Sequence, residues 1–406
     1  MKIAGMIVEY NPLHSGHLRL ITETRRLLGA DTAVLGVMSG NFVQRGDFAL
    51  IRRQARARAA VESGVDLVLE LPLPWAVSPA ERFADGAVQV LLGTGLAAYL
   101  AFGSECGDGG ALRRLAAALR SEAFPALLRE ELTAGDSFAA ARQRAVERLT
   151  SPAVAALLSW PNNTLGVEYC KALLRQGGAL EVLTVPRLGA AHDAGTVEPG
   201  QAASSSAVRA LLRAGQRRQA LDLMAPAMAA AYLAEESAGR APVLAENSER
   251  AILARLRFLR EADFAALDEG REGLYRRLYR AAREARSLAE ALELAGTKRY
   301  PQARLRRMLL WAYLGLTPAA LPERVPYLRV LAAGGRGRAL LARMRETAAL
   351  PLLTKPAHVR RLGPEAQAVF DLEARAADLY ALAYPDLRAA AGGAAWREVP
   401  EISGGR

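Results

Sequence analysis

Two of the four histidines of this 406-residue chain stand three residues apart near its N-terminus. His14 and His17 belong to the stretch VEYNPLHSGH, with Gly16 between them and an Asn-Pro pair just before them. A short apolar run, IAGMIV, precedes this stretch, and a helical pattern follows it. The spacing predicts both imidazoles on the solvent-accessible first turn of a helix that begins where a strand ends.

A helix start of this kind is suited to binding phosphate. Its first backbone N–H groups lack partners within the helix, and the helix dipole is positive there. Gly16 removes a side chain that would obstruct approach, and Asn11-Pro12 predicts a turn over the strand end. Two other interpretations of the histidines stay open: ordinary surface or core residues, and metal ligands, although no HExxH motif or cysteine partner accompanies them.

The elements that position the histidines follow a βαβ rhythm over the first hundred residues. The apolar runs IAGMIV, TAVLGVM, VDLVLEL and AAYLAFG alternate with helical patterns over 16–28, 48–62 and 80–92. Because each run is continuously apolar, the runs predict a Rossmann-like, doubly wound parallel sheet with helices on both faces. The histidines then lie at the carboxyl edge of the sheet, where such α/β folds bind ligands.

The chain divides into two predicted domains. Residues 1–240 form the α/β domain, in which 111–159 is helical throughout and predicts an insertion that covers one edge of the sheet. A further strand is expected over 180–189, followed by a helix capped within a serine run. Residues 241–406 are nearly all amphipathic helix and predict a C-terminal all-α domain.

The net charge of +11 points to a polyanionic partner, although high Arg and Ala usage could also reflect the base composition of the genome. The charge is concentrated, since residues 271–307 hold eleven Lys or Arg and four Glu. The runs YRRLYRAAREARS and TKRYPQARLRRMLLW place these cations at helical spacing with tyrosines between them. They predict an RNA-binding surface, and a solvated helix face is the alternative.

Several classes of protein are excluded by what the sequence lacks. Cys106 and Cys170 are far apart, so neither a disulfide framework nor a structural zinc site is indicated. No GxxxxGK[ST] motif occurs, and GTGLAA follows a helical pattern where a dinucleotide fingerprint would follow a strand. The start of the chain is too short for a signal-peptide core, and no apolar run reaches the ~18 residues of a membrane span. We therefore expect a soluble, cytoplasmic protein without a membrane partner.

The H-x-G-H string at a strand-to-helix junction resembles the signature of the nucleotidyltransferase superfamily that includes class I aminoacyl-tRNA synthetases. In that superfamily the histidines contact ATP phosphates and stabilise charge as pyrophosphate leaves. The Lys-rich loop of the synthetases is absent, because the chain has only four lysines. SSSAVR, residues 204–209, resembles the Ser/Thr-rich helix start that replaces this loop in small nucleotidyltransferases, although a plain capping run would look the same.

The order EYNPxHxGH, SGNFVQRG, FGSE, PNNxLGxEY, RxGxxHD and TKRY resembles the bacterial tRNA(Met) cytidine acetate ligase family, from Met1 to about Leu331. The resemblance implies an enzyme with a HIGH-type nucleotidyltransferase fold. Such a ligase uses ATP to activate acetate as acetyl-adenylate. It then transfers the acetyl group to the wobble cytidine of elongator methionine tRNA, which forms N4-acetylcytidine.

The resemblance also implies the residues of the site. The catalytic residues would be His14 and His17, with ATP as co-substrate and Mg²⁺ accompanying it. The predicted ATP-binding residues are Ile7, Val8, Glu9, Tyr10, Asn11, Pro12, Leu13, His14, Ser15, Gly16, His17, Leu18, Arg19, Leu20, Gly103, Asn162, Asn163, Arg187, Ser205, Ser206 and Arg209. The basic runs place the predicted tRNA contacts at Lys298, Arg299, Arg304, Arg306 and Arg307.

Two rival functions remain open at this point. A small-molecule adenylyltransferase would make a dinucleotide product such as NAD or dephospho-CoA, and such an enzyme needs no long basic helical half. A tRNA-binding protein with a vestigial nucleotide site would not need His14, Gly16, His17 and Arg187 together. The sequence therefore favours the tRNA ligase, and it leaves the oligomeric state open.

Overall fold

The computed structural model describes residues 1–133, 138–187, 204–267, 273–297, 300–318 and 321–403. The strands are β1 Ile3–Val8, β2 Ala33–Ser39, β3 Phe42–Val43, β4 Asp47–Phe48, β5 Leu67–Leu71, β6 Tyr99–Ser104, β7 Glu181–Pro186, β8 Leu328–Ala333, β9 Leu352–Leu353 and β10 Glu401–Ile402. The helices are α1 Ser15–Leu28, α2 Arg53–Glu62, α3 Leu73–Ala76, α4 Ala80–Gly93, α5 Gly109–Leu119, α6 Phe124–Thr133, α7 Phe138–Leu149, α8 Pro152–Ala155, α9 Pro161–Arg175, α10 Ser205–Arg213, α11 Arg217–Asp222, α12 Pro226–Ser237, α13 Glu249–Phe258, α14 Glu261–Ala265, α15 Leu274–Glu284, α16 Leu288–Ala295, α17 Gln302–Leu314, α18 Gly335–Thr347 and α19 Pro364–Ala381.

The main sheet has the strand order β10-β8-β5-β2-β1-β6-β7, with β9 paired to β8. The strands from β5 through β2, β1 and β6 to β7 are parallel, so their carboxyl ends share one edge. Within this sheet β8 runs antiparallel to β5. The mostly parallel α/β sheet predicted from the apolar runs is confirmed.

Both faces of the sheet are covered by helices, which explains why its strands are continuously apolar. In β1, Ile3 and Ile7 belong to a core formed with α4, α5 and α9. Ala4 and Met6 face the other way, into a core formed with α1, α2 and α10–α12. Successive residues of a strand point to opposite faces, so a strand buried on both sides shows no alternation.

The first half also follows the predicted order of helices, with one boundary that differs. The described residues of 111–159 contain helices and no strand, and α5 packs against the edge strand β7. The helix expected over 48–62 begins only at Arg53, because Phe48 pairs with Phe42 in the β3–β4 hairpin. This hairpin carries the SGNFVQRG segment from the end of β2 to a core of the helical part, where both phenylalanines are buried.

The prediction that 241–406 is all helical is wrong for its second half, which contains the strands β8, β9 and β10. Helices α13–α17 do follow the boundary, but β8 enters the main sheet beside β5, and β9 and β10 pair with β8. The strand sequence LRVLAA has six residues, of which all but Arg329 are Leu, Val or Ala, and it is too short for periodicity to separate strand from helix. The sheet therefore contains strands from both sides of the predicted boundary.

Buried ion pairs join β8 to the first half of the chain. Arg329 of β8 lies 3.5 Å from the carboxylates of both Glu70 and Glu373, and Arg53 lies 3.0 Å from Glu70. Arg53 also reaches Glu398, which precedes β10, at 2.7 Å. Because an unpaired buried charge is very costly, this network favours one position of β8 in the sheet.

Candidate functional site

A cleft of about 280 Å³ opens at the carboxyl edge of the parallel strands. The ends of β1 and β6 form its floor, and the starts of α1, α9 and α10 surround it. The dipoles of these three helices are positive at their starts, although at α9 the Glu105 carboxylate already accepts hydrogen bonds from the Asn162 and Asn163 N–H groups. The position and the local charge suit an anionic ligand.

The two histidines cap the first turn of α1. The Nδ1 atom of His14 accepts a hydrogen bond from the Gly16 N–H at 3.1 Å, and Nδ1 of His17 accepts one from the His14 N–H at 3.2 Å. A neutral imidazole that accepts at Nδ1 carries its proton at Nε2, so Nε2 is the donor in each ring. The backbone thus orients both rings.

The two rings differ in their access to the cleft. His17 lines it, whereas His14 is 4% exposed and its ring centroid lies 3.9 Å from that of His17. Tyr10 packs its ring against the other side of His17 at 5.1 Å. The expectation that both histidines lie at a solvent-accessible helix start is wrong for His14, which the first turn encloses.

The start of α10 forms the opposite wall of the cleft. Ser204 caps this helix by accepting a hydrogen bond from the Ala207 N–H, as the serine run predicts. Ser205 donates to the carbonyl oxygen of Pro12 at 3.0 Å, and Arg209 donates to that of Asn11 at 2.6 Å. The turn after β1 and the start of α10 are therefore held together. Burial lowers the pKa of Arg209, although this guanidinium stays a cation at neutral pH.

A third wall comes from the ends of β6 and β7 and from the start of α9. Arg187 packs against Gly103, where a side chain would meet Arg187 Cγ at 3.3 Å. Asn162 lines the cleft and accepts a hydrogen bond from Arg187 at 3.5 Å. Asn163 is fully buried, and its Oδ1 accepts hydrogen bonds from the Ser104 hydroxyl and from two backbone N–H groups. Of the two asparagines, Asn162 is thus the one placed to reach a ligand.

A half-buried carboxyl group lies between these walls. Glu9, at the end of β1, accepts a hydrogen bond from the Gln44 N–H at 2.7 Å. Burial raises the pKa of Glu9, and the Gln44 hydrogen bond and the cations Arg209, Arg56 and Arg45 oppose that rise. Arg56 donates to carbonyl oxygens at the ends of both β1 and β2, and so fixes the floor of the cleft.

Most of the predicted ATP-binding residues meet in this cleft. Those that line it are Ile7, Val8, Glu9, Tyr10, Asn11, His17, Leu20, Gly103, Asn162, Arg187, Ser205, Ser206 and Arg209. Those that do not line it are Pro12, Leu13, His14, Ser15, Gly16, Leu18, Arg19 and Asn163. The division follows from the turn and helix of the HSGH segment, which point only some side chains toward the sheet edge.

The sequence did not single out nine further residues that line the cleft. These are Gln44, Arg45, Ala80, Phe83, Phe102, Pro161, Thr164, Leu165 and Tyr169. The polar segments SGNFVQRG and PNNTLGVEY did signal Gln44, Arg45 and Thr164 as parts of loops at strand ends. Phe83 gave no signal, and Phe102, Leu165 and Tyr169 belong to the FGSE and PNNxLGxEY motifs without being assigned to the site, because an apolar wall of a ligand site has the same residue types as a core.

The predicted tRNA contacts lie beside the cleft rather than far from it. Arg306 is exposed, and Arg304 lies over the ring of Tyr300 with its guanidinium carbon 5.3 Å from the ring centroid. Arg307 donates to the carbonyl oxygen of Gln44 at 3.5 Å. Lys298 and Arg299 lie outside the described residues. The start of α17 therefore touches a loop that also lines the cleft.

Some arginines of the basic segment stabilise helices. Arg277 donates to carbonyl oxygens at the end of α16, and Arg283 donates to those at the end of α13. Three others form ion pairs at the surface, Arg276 with Glu261, Arg280 with Glu284 and Arg286 with Glu290. The excess of positive charge in 271–307 thus overstates the charge that is available to a partner.

Two classes of feature are absent from the part of the chain that the structure describes. None of its helices combines the length and apolar character that crossing a bilayer requires. It also contains no cluster of three or more His, Cys, Asp or Glu side chains that could hold a metal ion. The interpretation of His14 and His17 as metal ligands therefore gains no support.

The sequence matches the model of the HIGH Nucleotidyl Transferase family over residues 1–393. The tRNA(Met) cytidine acetate ligase of Acetivibrio thermocellus is 35% identical over 95% of this chain and 95% of its own length. The enzyme of the same name from Syntrophotalea carbinolica is 36% identical, again over 95% of both chains.

Two crystal structures of Thermotoga maritima TmcAL share the fold. An apo form matches with a TM-score of 0.94, and a form bound with alpha-thio ATP matches with a TM-score of 0.91. In both comparisons the identity is 32% and the match covers 99% of each chain.

Proposed function

We infer the function from the family, because this chain belongs to the HIGH nucleotidyl transferases and, within them, to the tRNA(Met) cytidine acetate ligases. It is an ATP-dependent ligase that modifies tRNA. We propose that its acyl substrate is acetate and that the cleft at the sheet edge is where ATP and acetate react. The observation that supports this assignment is the meeting of the α1 start, the α10 start and Arg187 around one cleft.

The proposed reaction has two steps. In the first, a carboxylate oxygen of acetate attacks the α-phosphorus of ATP, and pyrophosphate leaves with the electron pair of the broken P–O bond. In the second, the cytosine N4 amine attacks the acetyl carbon, and AMP leaves with the electron pair of the C–O bond. The amine loses one proton to water. Neither step needs a nucleophile from the protein, so catalysis consists of positioning and charge stabilisation.

The residues of the cleft fit these two tasks. His17 presents Nε2 as a donor to phosphate oxygens, and His14 supports it from behind as the cap of α1. Arg209 and Arg187 supply positive charge from the two opposite walls. Fixed donors of this kind stabilise charge that develops on oxygen without having to reorganise during the reaction.

Mg²⁺ would enter the cleft with ATP. Mg²⁺ in nucleotide sites is held largely by phosphate oxygens and water, with one or two carboxylates. Among the described residues that line the cleft, Glu9 is the carboxylate. A single carboxylate fits a metal that arrives with the nucleotide, and Mg²⁺ would neutralise charge on the phosphates.

The helical part beside the cleft is the proposed tRNA-facing surface. Arg306 and its neighbours stand where an RNA could approach the acetyl group, and the chain carries +11 overall. Contacts between arginine and phosphate release counterions from the RNA, so binding should weaken as salt rises.

The proposal is tested by incubating the protein with ATP, radiolabelled acetate and total tRNA, and then digesting the RNA to nucleosides. We expect the label in N4-acetylcytidine, and none when ATP is left out. Pyrophosphate exchange that depends on phosphopantetheine or nicotinamide mononucleotide, and not on acetate, would instead identify a small-molecule adenylyltransferase. Tight tRNA binding without any ATP binding would identify a vestigial nucleotide site.

A further inference from the structure

A second cavity, of about 440 Å³, lies beside the ATP cleft, and we call it the side cavity. It is enclosed by the β3–β4 hairpin, α10, α13, α16 and α17. The volume falls within the roughly 300–1,000 Å³ that is usual for ligand pockets. Neither step of the proposed reaction has yet assigned a ligand to this cavity.

Only a thin wall separates the side cavity from the cleft. Ser206 and Arg209 line both of them. The hairpin turn is divided in the same way, since Gln44 and Arg45 line the cleft while Gly46 and Asp47 line the side cavity. A group held in the side cavity would therefore stand one side chain away from the phosphates in the cleft.

Arg209 in this wall has unused hydrogen-bonding capacity. Its Nη1 donates to backbone oxygens of Asn11 and Ser205, at 2.6 and 3.2 Å. Its buried Nε has no hydrogen-bond partner, and the nearest charge partner, Asp47, is 3.9 Å away. A buried N–H without an acceptor is unfavourable, and a ligand that offers an acceptor here would remove that cost.

The lining of the side cavity favours a neutral ring over an anion. Apolar side chains from β4, α13, α16 and α17 cover it, including Phe48, Leu292 and Tyr313. Its charges balance, with three arginines and three carboxylates, namely Arg209, Arg213, Arg306, Asp47, Glu246 and Glu249. Arg213 is already paired with Glu246 at 3.0 Å and with Asp47 at 3.5 Å. Because these charges balance, the lining offers a phosphate or a carboxylate no net attraction, whereas it matches a flat ring with donors and acceptors on its edge.

We propose that the side cavity receives the nucleobase that is acetylated, with its exocyclic amine directed past Arg209 toward the cleft. This inference rests on the proposed function. A base in a single-stranded loop can leave its stack at a low cost in free energy. Proteins that bind an unstacked base typically recognise it by apolar contacts with its faces and by hydrogen bonds to its polar edge. The amine then reaches the acetyl carbon while the phosphates stay in the cleft. The C–N bond forms, AMP leaves, and one amine proton passes to water.

Ala289 offers a way to fill the side cavity without disturbing the core. It is exposed at the start of α16 and lines the cavity. Ala289→Trp should lower tRNA acetylation by about 100-fold, because displacement of a reacting group by an ångström costs about that much. Acetate-dependent pyrophosphate exchange should stay within about twofold of the unmodified protein, since that exchange needs only the cleft. Leu294→Trp is the matched control, because Leu294 lies on the same helix, is 43% exposed and does not line the cavity.

A binding measurement separates base recognition from a change of structure. Replacing the target nucleotide of the tRNA by an abasic one should weaken binding to the unmodified protein by about 5- to 150-fold, the range for losing one stacked base. The same replacement should not change binding to Ala289→Trp.

Normal acetylation by Ala289→Trp, or no effect of the abasic nucleotide on the unmodified protein, would overturn the proposal. Loss of exchange in Ala289→Trp would assign the cavity to ATP or the acyl group and would also overturn it. If the unmodified protein showed no acetate-dependent exchange at all, the proposed function itself would have failed.

Discussion

Replacing His17 by Asn removes the proposed phosphate donor and keeps the first turn of α1. The Oδ1 atom of Asn occupies the place of imidazole Nδ1, so it can still accept the hydrogen bond that His17 takes from the His14 N–H at 3.2 Å. The lost group is Nε2, the donor that His17 presents from the wall of the cleft. The variant thus separates the chemical role of the ring from its structural one.

The expected loss is large for the reaction and small for stability. Removing one preorganised donor to a developing oxyanion lowers the rate by about 10²–10³, which corresponds to about 2.7–4 kcal/mol. The free energy of unfolding should stay within about 0.5 kcal/mol, because the variant retains the cap. His14→Ala is the comparison, since it removes the acceptor for the Gly16 N–H at 3.1 Å. Loss of that cap should destabilise the protein by about 0.5–2 kcal/mol.

The assay is acetate-dependent exchange of labelled pyrophosphate into ATP, measured together with urea denaturation. His17→Asn should lose the exchange and unfold like the unmodified protein, and His14→Ala should unfold at lower urea concentration. Exchange at the normal rate in His17→Asn would refute the role of Nε2. A fall in stability that matched the fall in exchange would show that the histidine acts only through the fold.

Four further predictions concern Arg187, Arg306, Arg307 and Glu373. Arg187→Ala should weaken ATP binding more than tRNA binding, as calorimetric titration with each ligand would show; equal weakening would contradict a specific role of Arg187 in ATP binding. Charge reversal at Arg306 should lower tRNA affinity and reduce the log–log salt slope by about 0.7–0.9, with exchange preserved. Arg307→Glu should impair exchange as well, because Arg307 contacts the Gln44 carbonyl beside the cleft, and normal exchange in that variant would contradict this. Burial and the neighbouring Glu70 raise the pKa of Glu373 to about 7, so the folded state binds its proton more tightly than the unfolded state. The free energy of unfolding should therefore fall as pH rises from about 4.5 to 7, and Glu373→Gln should flatten that fall.

The sequence predicts the parallel part of the sheet well, because burial on both faces makes each strand a continuous apolar run. It misses β8, since LRVLAA has no partner nearby in the chain. The pairing that makes it a strand is with β5, about 260 residues earlier, and no local pattern encodes so distant a contact. The ion pairs of Arg329 that favour this pairing are equally distant in sequence.

In the site, too, contacts between residues close in sequence can be predicted, and contacts between distant segments cannot. The Ser204 cap follows from residues within one helical turn, and the serine run predicts it. The caps made by His14 and His17 are equally local, but the sequence predicts only that both rings lie at the start of α1. The closeness of Arg307 to Gln44 depends on how the β3–β4 hairpin meets α17. The sequence therefore predicts the ATP site and the basic segment in two different domains. In the fold, Arg306 of the basic segment and Arg209 of the cleft line the same cavity.

The most direct test of the proposed acetyl-adenylate traces the oxygen atoms of acetate into the products. The protein is supplied with ATP, acetate labelled with ¹⁸O in both carboxylate positions, and elongator methionine tRNA, and the nucleotide products are weighed by mass spectrometry. Attack of the carboxylate on the α-phosphorus leaves one labelled oxygen in AMP, so we expect AMP that is 2 Da heavier and pyrophosphate without label. Unlabelled AMP, or label in inorganic phosphate released with ADP, would contradict the proposed acetyl-adenylate and with it the assignment of the cleft.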